Sequence, residues 1–149
     1  FELDRDRNLI IREADDILQW NTTPTGSRSI KIHTPDMDFG HPGVRKKIYK
    51  FYVSYKGDGS AVTCAYTTNG DTDTSLPFCP TNADGSLSEI GVDTTPLHNV
   101  GTDDWVTAEL RPSVAINNKY SVQLRIEGTA ATDFEINDIS VVYRTKRVK

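Results

Sequence analysis

Apolar and polar residues alternate with a period of two along most of this chain. The clearest case is Tyr120–Glu127, where Tyr120, Val122, Leu124 and Ile126 share one parity and Ser121, Gln123, Arg125 and Glu127 the other. That is the pattern of a half-buried strand. Lys47–Tyr55 places Tyr49, Phe51, Val53 and Tyr55 on one face and Ile48, Lys50, Tyr52 and Ser54 on the other. Its aromatic and β-branched content suits a pleated surface. Lys56-Gly57-Asp58-Gly59 then marks a turn, and Ala61–Tyr66 resumes with Val62, Cys64 and Tyr66 in phase, so the two strands read as a hairpin. Further strands are expected at Asp16–Trp20, Arg28–His33, Trp105–Leu110 and Phe134–Arg144. In the last, Phe134 and Ile136 have one parity and Ile139, Val141 and Tyr143 the other. A β-bulge near Asn137-Asp138 would restore a single inward face. No segment sustains an apolar period of 3.6, so almost no helix is expected.

Between Thr67 and Asp104 the chain is rich in Thr, Asp, Gly, Ser, Asn and Pro. Such a length without strong strand signals predicts long surface loops, with one short strand at Ser86–Val92. Seven or eight strands separated by turn signals fit one all-β domain over residues 1–149: an antiparallel β-sandwich, jelly-roll-like, with long polar loops. Trp20 and Trp105 are expected to anchor its core. The chain opens at Phe1 with charged residues, not with Met, which suggests the C-terminal part of a longer protein.

The formal net charge is −4, but the charge is unevenly spread. Residues 57–110 hold no Lys or Arg and nine acids: Asp58, Asp71, Asp73, Asp84, Glu89, Asp93, Asp103, Asp104 and Glu109. Such a block repels phosphates, so nucleic acid is not the expected partner. No apolar run reaches the roughly 20 residues of a membrane span. The chain has no phosphate-binding glycine loop, zinc-protease helix motif or nucleophile elbow. His33, His41 and His98 are scattered and each flanks a turn. The carboxylate pairs Asp15-Asp16 and Asp103-Asp104 are adjacent in sequence, so on a strand they point apart. A glycosidase needs two carboxyls about 5–9.5 Å apart in one cleft, and an enzyme is not expected. Asn21-Thr22-Thr23 matches a glycosylation acceptor. Cys64 and Cys79 could be bridged or free.

Two candidate chemistries remain. Asp71 and Asp73 in Asn69–Ser75, joined by Asp84, are the candidate calcium ligands, since Ca²⁺ takes six to eight oxygens. The competing reading is a polar turn with Asx-type capping. Tyr52 points outward if its neighbours face the core, and with Tyr55 and Tyr66 it is the candidate sugar platform or protein interface.

One segment is more specific. Ile30–His33 runs into Thr34-Pro35-Asp36-Met37-Asp38-Phe39-Gly40, turns at His41-Pro42-Gly43-Val44 and leaves through Arg45-Lys46-Lys47-Ile48-Tyr49-Lys50. It resembles structural, tail-associated β-domains of tailed bacteriophages, of the marine phage type. Phe134–Lys146 looks like the closing strand of such proteins. The two blocks cover about a third of the chain. The resemblance implies a non-enzymatic virion component whose partners are other virion proteins and copies of itself, with no catalytic residues to transfer. The alternative is a carbohydrate-binding module for a cell-surface glycan. The residues themselves suggest how copies would meet: the basic Arg45, Lys46 and Lys47 against an acidic loop of a neighbour, Asp103 and Asp104 among the candidates.

Overall fold

The computed structural model describes residues 28–79 and 95–146, together with the strand segments 2–3, 9–13 and 16–19. Among the described residues every regular element is a strand. An N-terminal antiparallel sheet of three is formed by β1 (Glu2–Leu3), β2 (Leu9–Glu13) and β3 (Asp16–Gln19), with β2 in the middle. The sandwich is built from β4 (Arg28–His33), β5 (Lys46–Lys56), β6 (Val62–Thr68), β7 (Leu76–Pro77), β8 (Thr95–Pro96), β9 (Val106–Leu110), β10 (Ile116–Lys119), β11 (Val122–Ala130) and β12 (Glu135–Thr145). One sheet has β5 at its centre, with β12 on one side and β9 and β10 in line on the other. The second runs β4-β11-β6, with β7 and β8 along the far side of β6. All pairings are antiparallel, as the alternating patterns require.

The core lies between the sheets. Phe51, Val53 and Tyr55 of β5 meet Val62, Cys64 and Tyr66 of β6 and Val122, Leu124 and Ile126 of β11, with Phe78, Leu97 and Leu110 filling the remainder. Phe78 packs edge-on to Phe51 at 5.4 Å between ring centroids and against Tyr66 at 5.1 Å. The buried Tyr66 hydroxyl donates to Val114 O at 3.0 Å, so its polar end is satisfied. Cys64 and Cys79 are both thiols, not a disulfide. Burial pushes the Cys64 thiol up to about 12, which makes it a small core hydrophobe.

The expected bulge is present: Ile136 faces Tyr55 while Asp138 faces Ser54, so Asn137 is the extra residue. Ile136, Ile139 and Val141 thereby all pack on the core. A second bulge was not foreseen. Val142 faces Lys50 and Tyr143 faces Ile48, leaving Tyr49 extra on β5. It reverses the phase of the strand: Ile48 is buried, and Tyr49 is 38% exposed.

Other expectations are corrected. β5 and β6 are not a hairpin but lie in opposite sheets. Residues 57–61 arch across because they are held by the 98–101 loop, through Gly57 N to Gly101 O at 2.6 Å and Gly59 N to His98 O at 3.2 Å. Gly57, at φ +80°, makes that reversal. Trp105 is 48% exposed, not a core anchor, because it precedes β9 and the Lys56 ammonium sits over its ring. Tyr120 belongs to the turn before β11 and is exposed. Tyr55 and Tyr66, offered as sugar-platform residues, are fully buried. Trp20, the acceptor at Asn21 and the strand expected at Ser86–Val92 lie outside the described residues. The strand order is that of an antiparallel β-sandwich.

Candidate functional site

The segment 34–46 is a built turn. Asp38 Oδ1 accepts from Gly40 N at 2.9 Å, and Phe39 and Gly40 both take positive φ, +54° and +75°. A short carboxylate beside a glycine is what such a turn needs. Asp36 reaches further and accepts from Gly70 N (3.2 Å) and Ser121 Oγ (3.0 Å), tying this loop to two others. Met37 bridges to Val122 through both backbone groups. Phe39 stacks on Tyr143 with centroids 4.0 Å apart and planes at 16°. Lys46 is the keystone. It is 1% exposed, and its ammonium donates to His41 O (2.5 Å), Val44 O (2.8 Å) and Tyr120 O (2.8 Å). Three donors meet three carbonyls, which is the whole capacity of the group. Lys46 is therefore removed from the expected interface. Three consecutive basic residues entering a strand must alternate, and the middle one points in.

The outer face of the β12-β5-β9 sheet carries a row of aromatic and basic side chains. On β5 the outward residues are Lys47, Tyr49, Tyr52, Ser54 and Lys56. Lysines lie over three outward rings: Lys47 over Tyr49 at 4.9 Å, Lys50 over Tyr52 at 5.0 Å, and Lys56 over Trp105 at 5.1 Å. Tyr52 faces out as expected, and its hydroxyl donates to Glu109 at 3.1 Å, beside Lys50 Nζ at 2.8 Å from the same carboxylate oxygen. The Lys50 hydrogen bond holds the Glu109 carboxyl below its ordinary 4.5; burial opposes, and Tyr52 and Arg111 add to the lowering. A depressed carboxylate stabilises the fold above its unfolded value and loses that contribution as pH falls through the folded one. Glu109→Gln is thus expected to remove part of the acid destabilisation that sets in below about pH 4.5. Urea midpoints at about pH 7 and about pH 3 check it; an unchanged difference between them would refute it.

The third row of this sheet is interrupted. Ile48 pairs with Ile116 and Phe51 with Leu110, while residues 111–115 cross toward the other sheet, through Cys79 N to Arg111 O and Ser113 Oγ to Pro77 O. A notch of about 350 Å³ remains, lined by Lys47, Tyr49, Cys79, Arg111, Pro112 and Ser113. On the other side of Lys47, directly across the strand pair, stands Arg144. Arg45 is occupied by Tyr120, with its guanidinium carbon 5.7 Å from the ring centroid and Nε donating to the hydroxyl at 3.2 Å.

The acidic block is not one surface. Asp71 and Asp73 lie in the turn after β6, and Asp103 and Asp104 lie at the other end of β5, in the loop that Gly101 ties to Gly57. Asp84, Glu89 and Asp93 are outside the described residues. Asp71 Oδ1 accepts from Asp73 N (2.9 Å) and Thr74 N (3.0 Å), and those bonds hold its carboxyl below the usual range. Asp73 instead accepts from Thr72 Oγ1. That is the Asx-type turn, and among the described residues no three of His, Cys, Asp and Glu come together as metal ligands would.

The outer face of the second sheet carries a smaller cluster. Glu127 is bonded to His33 and lies 4.0 Å from Lys31, and the His33 hydrogen bond is the main cause that lowers its carboxyl. Sequence reasoning missed Tyr49, Arg111 and Arg144. Only pairing brings them beside Lys47, and pairing is not written in local periodicity. No family model, curated relative or solved structure matches the chain.

Proposed function

We propose that the chain is a non-enzymatic structural domain of a tailed-phage virion, tail-associated, whose partners are other virion proteins and copies of itself. One observation carries this reading. The two blocks that resemble phage tail domains, 30–50 and 134–146, are one piece of the fold. β5 and β12 pair over their full lengths, Phe39 stacks on Tyr143, and Lys146 N donates to Arg45 O at 2.7 Å. A likeness split between distant segments gains weight when those segments are a single packed unit. The mechanism is scaffolding: a sandwich with a filled core holds its outer faces and loop ends at fixed positions for assembly.

The test is cross-linking mass spectrometry on purified particles with a lysine-reactive reagent. Cross-links from Lys47 or Lys146 to tail proteins are expected. Lys46, enclosed by three carbonyls, should stay unmodified while the domain is folded. A chain absent from particles would overturn the reading. The glycan-binding alternative would then rest on Tyr49, Tyr52 and Trp105, and a glycan array would test it.

A further inference from the structure

We propose that the notch beside Lys47 receives the acidic loop Thr102-Asp103-Asp104 of a second copy of this chain, so that domains join head to tail. The proposal deepens the assembly reading above and rests on it for the setting in which copies meet. Its first support is an uncompensated charge. Lys47 and Arg144 are direct cross-strand neighbours, and like charges in that position repel. Among the described residues neither has a carboxylate within ion-pair distance. The other lysines of the same face differ: Lys50 is paired with Glu109 at 2.8 Å and Lys56 with Glu135 at 3.2 Å. Arg111, whose contact with Glu109 is a loose 3.7 Å, is a second cation lining the notch beside Lys47, and Arg144 stands across Lys47 on β12. Among the described residues, the fold that neutralises Lys50 and Lys56 supplies no carboxylate to the cationic recess beside the Tyr49 ring and Pro112.

The second support is the matching feature at the far end of the sandwich. Asp103 and Asp104 are exposed, and among the described residues neither has a basic partner. Their loop is held, not loose: Gly101 N donates to Asn99 Oδ1 at 3.1 Å and Gly57 N to Gly101 O at 2.6 Å. The exposed Trp105 ring flanks them with apolar surface. The loop therefore projects two carboxylates with an aromatic beside them, and the notch offers cations with an aromatic and a proline.

Topology decides between copies and a single chain. Lys47 sits at the start of β5, and Asp103-Asp104 lie beyond its end, near Lys56. Nine residues of strand separate the two ends by roughly 30 Å, so no chain places its own Asp103-Asp104 loop in its own notch. A contact between two different patches is heterologous and propagates as a ring or a filament.

Sedimentation velocity on the full chain, over a concentration series at low and high salt, tests this. Wild type should associate in a concentration-dependent, salt-sensitive manner. Lys47→Glu with Arg144→Glu, or Asp103→Lys with Asp104→Lys, should each weaken association by roughly a hundredfold. Equimolar mixing of the two variants should restore it, because each then supplies the surface the other lacks. Misfolding of a variant is distinguished by its circular dichroism spectrum and by failure of that rescue. A zero-length carbodiimide should couple Lys47 to Asp103 or Asp104 between isotopically heavy and light chains. A wild type that stays monomeric at all concentrations overturns the proposal, as does association indifferent to both reversals. Binding of the notch by an anionic polysaccharide, with no self-association, overturns it in favour of a glycan partner. Self-association by a chain that is absent from particles would sink the virion reading alone. Presence in particles with no Lys47–Asp103/Asp104 coupling would sink this contact alone.

Discussion

Replacing Lys46 by methionine is expected to destabilise the domain by about 3–5 kcal/mol, measured as a shift of the urea midpoint at constant slope. Methionine keeps most of the stem, so the cavity contribution is small. What is lost is the ammonium and its three hydrogen bonds to His41 O, Val44 O and Tyr120 O. A buried acceptor left without a donor costs roughly 1–3 kcal/mol, and bonds from a charged donor are the stronger kind. Two of those carbonyls belong to the turn that sets up β5, and the third belongs to the turn that leads into β11. The same change should therefore loosen the lead into Lys47 and weaken self-association as well as stability. Lys47→Met is the control. Its side chain faces outward, and its substitution should change stability by no more than about 0.5 kcal/mol. A Lys46→Met variant as stable as wild type would mean that the three carbonyls are satisfied by water, and that the turn needs no buried cation.

That contrast between neighbours shows what the sequence discloses and what it hides. Period-two alternation located β5, β6, β9, β11 and β12 to within three residues at each end, and the parity break in β12 placed a bulge near Asn137-Asp138, where the register does shift. Alternation fails where both parities are apolar. In Ile48-Tyr49-Lys50-Phe51-Tyr52 either register is chemically acceptable, and the choice falls to the partner strand, which forces Tyr49 out as a bulge. The segment 57–61 fails for another reason. Five residues with two glycines serve equally a hairpin or an arch between sheets. The arch wins through hydrogen bonds to residues 98–101, some forty positions away. Basic Arg45-Lys46-Lys47 was legible as charge but not as geometry, because a strand start sends adjacent residues to opposite sides. The candidate surface is harder still. Lys47, Tyr49, Arg111 and Arg144 lie on three different stretches of chain and meet only through the register of β5 with β12 and the detour of residues 111–115.

The other large effect concerns how closely the arch approaches the second sheet. Gly128 lies in β11 with φ +147°, a region that L side chains rarely adopt. A Cβ placed there would stand 2.9 Å from Val62 Cα and closer still to Ala61 O. Neither neighbour can give way cheaply, since both are backbone. Ala61 O also accepts from Thr129 N at 3.1 Å, so a shift of the arch breaks a bond of the corner it forms with β11. Gly128→Ala should thus cost roughly 3–4 kcal/mol, the sum of strain in φ and displaced backbone, against the usual gain from removing a glycine from an unfolded chain. Gly40→Ala provides the comparison. Gly40 also has positive φ, +75°, but nothing lies within 4 Å of its added Cβ, so only strain of about 1–2 kcal/mol remains. If thermal unfolding ranks the two variants equally, close approach is not what holds β11 to the arch, and the covering of β11 by residues 57–61 is looser than the packing of Val62 indicates.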